Sequence, residues 1–321
     1  LFDNPGDPHV SQQRSGSRQT PSATPVRIRD SVVTVGNLRF PVREAGPADG
    51  FPVILLHGFP DSHHSWDAQL LALGAAGYRA IAPAIRGYAV TAIPDDGDYF
   101  LTTISQDVTG LMDALGLPRA HLVGHDWGAA IGWLAVAEFP ERFVTFSSLA
   151  IPPLGGMLKA IRRFPLQLRN SWYMAFFQLR GLSDRVLARN DFAFIDKLWR
   201  DWSPGWQWPA QNMERVKETF RQPGVPLAAL GYYRHLFKVL APQSRRGQLL
   251  IRQPVKMPVL VLQGRSDGCM DARLPAASVI PSQFERGVKI EVVDGAGHFL
   301  HQEQPARVNA LLLDFFAGNA A

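Results

Sequence analysis

The sequence predicts an α/β fold: a mostly parallel sheet with helices on both faces and an inserted helical lid. Three observations carry that expectation. Short apolar runs at residues 53–56, 79–82 and 120–123 alternate with segments near 64–76 and 103–115 whose apolar residues recur at helical spacing. The run at 120–123 leads into Gly124-His-Asp-Trp-Gly128, which has the Gly-x-nucleophile-x-Gly spacing of a sharp strand-to-helix turn. After Thr145-Phe-Ser-Ser-Leu-Ala150 and Pro152-Pro153 the strand–helix rhythm stops, and Met257-Pro258 restarts it.

Taken in order, residues 1–26 are rich in Gly, Ser, Gln, Pro and Asp with almost no aliphatic pattern, so a disordered or extended arm is expected. Ser31-Val-Val-Thr-Val-Gly36 and Leu38 to Arg43 read as a hairpin around Gly36-Asn37. Residues 27–151 and 253–321 form the α/β core, the latter with strands at 259–262 and 290–294 and a closing helix from Arg307 to Phe316. Residues 152–252 are the helical lid, rich in Trp, Phe, Arg and Leu, whose stripe Trp172, Phe176 and Phe177 reads as packing between lid and core.

Composition narrows the function classes. With 46% hydrophobic and 19% charged residues the chain reads as soluble and globular, and no apolar run is long enough for a membrane span. The net charge is +5, yet the lid arginines Arg162, Arg163, Arg169, Arg180, Arg185 and Arg189 form no recognisable nucleic-acid motif and read as solvated helix faces. His63-His64 lack Cys or His partners at metal-ligand spacing, and no phosphate-binding glycine loop occurs, so neither metal nor other cofactor is expected. The arm has neither the basic start nor the apolar stretch of a secretory signal. The single cysteine, Cys269, forms no internal disulfide and reads as a small half-buried side chain, and a cytoplasmic location is expected.

The chemistry gathers at strand ends. Asp126 stands at the apex of the glycine turn, where serine or cysteine is the common nucleophile. A carboxylate is ordinarily ionised at neutral pH, so it needs no base to attack an electrophilic sp³ carbon, and the alkyl ester that results must be cleaved by water. That chemistry suits epoxides or carbon–halogen bonds. His298, in Gly295-Ala-Gly-His298-Phe299 after the last strand, is placed to activate the water. Asp267, in Gly264-Arg-Ser-Asp267, is placed to orient the imidazole, with Asp271 as competitor. The turn His57-Gly58-Phe59-Pro60 after the strand at 53–56 directs the Phe59 N–H toward the same point as that of Trp127, and the two form an expected oxyanion hole.

From about residue 27 onward the chain resembles an epoxide hydrolase of the α/β-hydrolase fold. His57-Gly-Phe-Pro60, Gly124-His-Asp-Trp-Gly128, Gly264-x-x-Asp267 and Gly297-His298 fall in that family's order. The resemblance implies a cis peptide bond before Pro60. It also implies two lid tyrosines that assist ring opening, Tyr173 in Tyr173-Met-Ala-Phe-Phe-Gln178 and Tyr233 in Gly231-Tyr-Tyr233-Arg234. The implied partners are a small-molecule epoxide and water. A haloalkane dehalogenase of the same fold is the alternative, but it commonly has a side-chain donor such as asparagine where Phe59 stands. A non-catalytic ligand-binding protein of this fold usually lacks one triad member, whereas all three are present here.

Overall fold

The computed structural model describes residues 25–319; the N-terminal arm expected at 1–26 lies outside this range except for its last two residues. Eight strands form one sheet: β1 (Arg29–Val35), β2 (Leu38–Ala45), β3 (Pro52–Leu56), β4 (Arg79–Pro83), β5 (Ala120–His125), β6 (Phe143–Leu149), β7 (Val259–Gly264) and β8 (Val288–Val293). Their spatial order is β1-β2-β4-β3-β5-β6-β7-β8. Only β1–β2 and β2–β4 pair antiparallel; from β4 to β8 every pairing is parallel.

The strands are apolar on both sides because both sides are covered. In β3, Val53 and Leu55 enter one core with Val123, Leu260, Leu262 and Phe316, while Ile54 and Leu56 enter the other with Leu122, Val261, Ile131 and Phe146. Period-two alternation along a strand thus feeds two layers. Helices α1 (Asp67–Ala75), α2 (Leu101–Ala114) and α3 (Trp127–Glu138) follow the early strands. Seven consecutive helices then form the insertion: α4 (Leu154–Arg163), α5 (Leu166–Asn170), α6 (Trp172–Phe176), α7 (Leu182–Trp202), α8 (Ala210–Arg221), α9 (Val225–Leu236) and α10 (Pro242–Leu250). Finally α11 (Leu274–Ser278) precedes β8, and α12 (Leu300–Glu303) and α13 (Pro305–Ala317) close the chain. Helix α7 breaks at Arg189–Phe192, where Asn190, Asp191 and Phe192 all take positive φ.

Of the aromatic stripe expected to pack lid on core, Phe177 is buried against Phe59 and Tyr233. Trp172 is 44% exposed, because it opens α6 on the outward side beside Phe176 and Phe194.

One ion pair ties the loop after β4 to α2. Arg86 donates Nε–H and Nη2–H to the two oxygens of Asp107, each at 2.6 Å, and both side chains are buried. Burial pushes the Asp107 carboxyl up and the Arg86 guanidinium holds it back. Arg86→Met is therefore expected to destabilise the protein by about 3–5 kcal/mol, because an uncompensated carboxylate stays in the core. Urea unfolding of Arg86→Met, Asp107→Leu and the double variant checks this. Recovery of most of the loss in the double variant is the expected result.

Candidate active site

The parallel strands end on one edge, and the chemically interesting loops leave from there. The turn from β5 to α3 places Asp126 at φ 50°, ψ −119°, a conformation that an L-residue holds only under constraint, at a cost of about 1–3 kcal/mol. The flanking glycines permit it. A Cβ on Gly124 would lie 2.3 Å from the Gly128 carbonyl oxygen, and one on Gly128 would lie 2.1 Å from that of Leu56. The turn can form only where both backbones approach without side chains.

Asp126 is 5% exposed and held from one side: the Phe59 N–H donates to its Oδ1 at 2.8 Å. The Phe59–Pro60 bond is cis, as the resemblance implied. His57 shapes this turn, since the Ile85 N–H donates to its Nε2 at 3.2 Å and its Nδ1 lies 3.1 Å from the Gly58 carbonyl. Burial pulls the His57 imidazole down to about 4, so it stays neutral. The Trp127 N–H opens α3, where helix N–H groups have no partner within the helix.

His298 is fully buried, with Nε2 3.6 Å from Asp126 Oδ2 and Nδ1 3.0 Å from Asp267 Oδ2. Asp267 is in turn locked: its Oδ1 accepts the N–H groups of Cys269 (2.7 Å) and Met270 (2.9 Å), and its Oδ2 accepts Gln263 Nε2–H at 2.8 Å. The competitor Asp271 instead binds Arg273 and is not a partner of His298. Burial alone would pull His298 down, but Asp267 and Asp126 on either side outweigh it and lift the group from 6.5 to about 10. The two acidic side chains thus favour the protonated form of His298.

The two lid tyrosines reach the same place. Tyr173 from α6 and Tyr233 from α9 are buried, with ring centroids 5.6 Å apart at 85°. Together with Asp126 and Trp127 they line a cavity of about 490 Å³. The Tyr173 hydroxyl lies 3.3 Å from Cys269 Sγ, while the Tyr233 hydroxyl is buried without a hydrogen-bond partner among the described residues. Burial pushes both phenols well above 10, so both remain protonated donors. Cys269 is fully buried rather than half-buried, because Asp267 draws its N–H inward and Tyr173 covers its thiol.

Sequence reasoning missed two groups that hold the site. The Trp202 carbonyl, at the end of α7, accepts the N–H groups of both Gly268 (2.9 Å) and His298 (3.1 Å), so one lid residue pins both triad loops. Its ring also packs on His298 and Tyr173 at 5.0 and 4.9 Å. A backbone acceptor leaves no trace in residue type. His125 donates Nε2–H to the His298 carbonyl at 2.9 Å, and its place beside Asp126 was the available signal.

Two buried groups of potential metal ligands occur among the described residues, Asp267–Cys269–His298 and Asp61–His125–His301. The first contains the acid–histidine pair itself. In the second, His125 is committed to the His298 carbonyl, and Asp61 accepts Ser62 N–H (2.8 Å) and Gln302 Nε2–H (3.1 Å).

Fold and site together define a hydrolase of the α/β class. The sequence profile of the α/β hydrolase fold matches residues 52–305. Human epoxide hydrolase 4 is 31% identical over 296 residues, covering 90% of this chain and 77% of that protein. The AB hydrolase superfamily protein YfhM of Bacillus subtilis is also 31% identical, over 90% of this chain and 98% of its own. The crystal structure of a Bacillus megaterium epoxide hydrolase bound to an inhibitor superposes with a TM-score of 0.78 at 25% identity, covering 89% of this chain and all of that one. The chain belongs to the α/β hydrolase fold family, and within it to the epoxide hydrolases. Among the described residues no helix is long and apolar enough to cross a membrane.

Proposed function

We propose that this enzyme hydrolyses an uncharged, largely apolar epoxide to a vicinal diol through a covalent ester on Asp126. The observation that carries the reading is the pairing of a carboxylate nucleophile with two buried, protonated phenols on one cavity. Asp126 Oδ2 attacks a ring carbon, the carbon–oxygen bond breaks, and the leaving oxygen takes a proton through Tyr173 and Tyr233. Esterification removes the charge of Asp126, so His298 loses one of the two carboxylates that raised its pKa and releases its proton, restoring the phenol. Neutral His298 then takes a proton from water as the oxygen adds to the ester carbonyl. The N–H groups of Phe59 and Trp127 hold the oxyanion on Oδ1. Collapse expels the diol oxygen, which takes the remaining acid proton, and leaves Asp126 ionised beside imidazolium.

The dehalogenase alternative is weaker. A halide needs converging side-chain N–H donors, and the Phe59 side chain is a ring without one, buried against Phe177, Trp202, Phe220 and Tyr233. The cavity also carries no Lys or Arg among the described residues lining it, so an anionic group inside it would find no cationic side chain on its walls and would face Asp126.

Oxygen labelling tests the covalent step. With enzyme in excess and ¹⁸O-water, the first diol formed is expected to be unlabelled and the Asp126 peptide labelled. Labelled diol with an unlabelled peptide would reject the ester. The pH dependence follows from His298. Ring opening should stay level through neutral pH and decline only as pH approaches about 10, where the resting imidazolium is lost. Ester hydrolysis should slow as pH falls, because protonated His298 accepts no proton, and the alkyl-enzyme should accumulate in acid. Stopped-flow single turnovers resolve the two steps; hydrolysis that accelerates in acid would count against His298 as the base.

A further inference from the structure

The rim of the cavity differs from its floor. Leu158 of α4, Leu236 of α9 and Val239 just beyond line the cavity yet are 65%, 41% and 53% exposed, which places them at its mouth. Phe237, Leu240 and Leu249 beside them, and Leu166 and Leu168 on α5, are also more than half exposed. Scattered surface leucines need no explanation, but exposed aliphatic side chains that line one opening do.

The same segments are basic without exception. Leu154 to Ser183 holds five Lys and Arg and no Asp or Glu; Gln222 to Lys256 holds six and none. The remainder of the chain has 22 Lys and Arg against 28 Asp and Glu, so the positive charge is concentrated on the lid. Lys159, Arg162 and Arg163 alternate with the rim residues of α4, Lys238 sits between Leu236 and Val239, and Arg245 follows Ser244 of the lining on α10. All five are exposed and form no ion pair among the described residues. In α4 Leu154, Met157 and Ile161 pack inward against the core, while Leu158 is exposed at the mouth with Lys159, Arg162 and Arg163 exposed on the same helix. Exposed aliphatic side chains set among cations are what an anionic membrane interface accepts.

We propose that the outer face of the lid docks on an anionic lipid surface, with the cavity mouth turned toward the bilayer. Exposed leucines and Phe237 enter the headgroup layer while the surrounding cations meet lipid phosphates and carboxylates. Self-association through this face is opposed by its own charge, since a two-fold contact sets the basic patch against itself. A polyanion such as duplex nucleic acid offers the aliphatic residues nothing to enter. Combined with the function proposed above, docking lets apolar epoxides dissolved in a membrane pass into the cavity without crossing water.

The test is flotation of the full chain with phosphatidylcholine vesicles, with and without phosphatidylserine, at low and high salt. Binding only to the phosphatidylserine vesicles, reversed by salt, is expected. The triple variant Lys159→Glu, Arg162→Glu, Arg163→Glu should weaken it by about a hundredfold or more, and Phe237→Ser with Leu240→Ser should also abolish retention. None of these five side chains lines the cavity, so turnover of a water-soluble epoxide by dissolved enzyme serves as the control for folding. Equal flotation with both vesicles, no flotation, or parental binding by the triple variant would overturn the proposal. So would tighter binding to a duplex oligonucleotide than to vesicles, or a dimer in gel filtration that Leu240→Ser dissociates. Flotation involves no turnover, so its outcome and that of the epoxide assay separate cleanly.

Discussion

His298→Gln is expected to stop the enzyme as its ester. Asp126 needs no proton removed in order to attack, whereas the water does, so ring opening should proceed slowly while deacylation fails. Loss of a positioned base ordinarily costs about 10²–10⁴-fold, and steady-state diol formation should fall by at least that much. The variant loses its imidazolium as well, so alkylation should slow too, but less than hydrolysis. Glutamine can keep a hydrogen bond to Asp267 Oδ2, which His298 Nδ1 holds at 3.0 Å, so the loop need not rearrange. Mass spectrometry after incubation with styrene oxide should show one adduct, on the peptide containing Asp126. Steady turnover at the parental rate with an unmodified peptide would exclude the ester scheme.

The second large effect concerns the phenols. Tyr173→Phe and Tyr233→Phe should each raise the barrier to ring opening by about 2–4 kcal/mol, the usual loss for one donor to developing negative charge. The double variant should be far worse, because neither phenol remains to cover for the other. The structure adds an asymmetry. The Tyr173 hydroxyl already touches Cys269 Sγ, whereas that of Tyr233 has no protein partner among the described residues. Removing a hydroxyl that makes no hydrogen bond within the protein breaks none of the contacts that hold the fold. Tyr233→Phe should therefore lose activity while unfolding at the same or a higher denaturant concentration. A double variant that hydrolyses styrene oxide at the parental rate would make both tyrosines packing residues and reopen the dehalogenase reading.

Much of this site is legible without coordinates because its geometry depends on local sequence. Gly124 and Gly128 are required because an added Cβ would lie 2.3 and 2.1 Å from a neighbouring carbonyl oxygen, so the turn that lifts Asp126 announces itself by residue type. The parallel strands are equally plain, since strands covered on both faces must be continuously apolar and β3 is buried along nearly its whole length. The choice between Asp267 and Asp271 was open in the chain, because four residues of separation do not say which carboxylate turns inward. The N–H groups of Cys269 and Met270 and the amide of Gln263 decide it by fixing Asp267 toward His298, while Arg273 draws Asp271 outward.

The sequence by itself determined the fold class, the glycine-flanked turn at Asp126 and the order of Asp126, Asp267 and His298 along the strand ends, all set by steric and periodic rules acting over a few residues. Only the tertiary structure decided the electrical state of His298, which depends on Asp126 and Asp267 meeting it from two loops distant in the chain. It also decided that Trp202 holds the loops of Asp267 and His298 through its carbonyl, that Cys269 is closed off beneath Tyr173, and that Leu158, Leu236 and Val239 of the lid meet at one cavity mouth. Such properties are sums of burial and charge over neighbours that folding alone assembles.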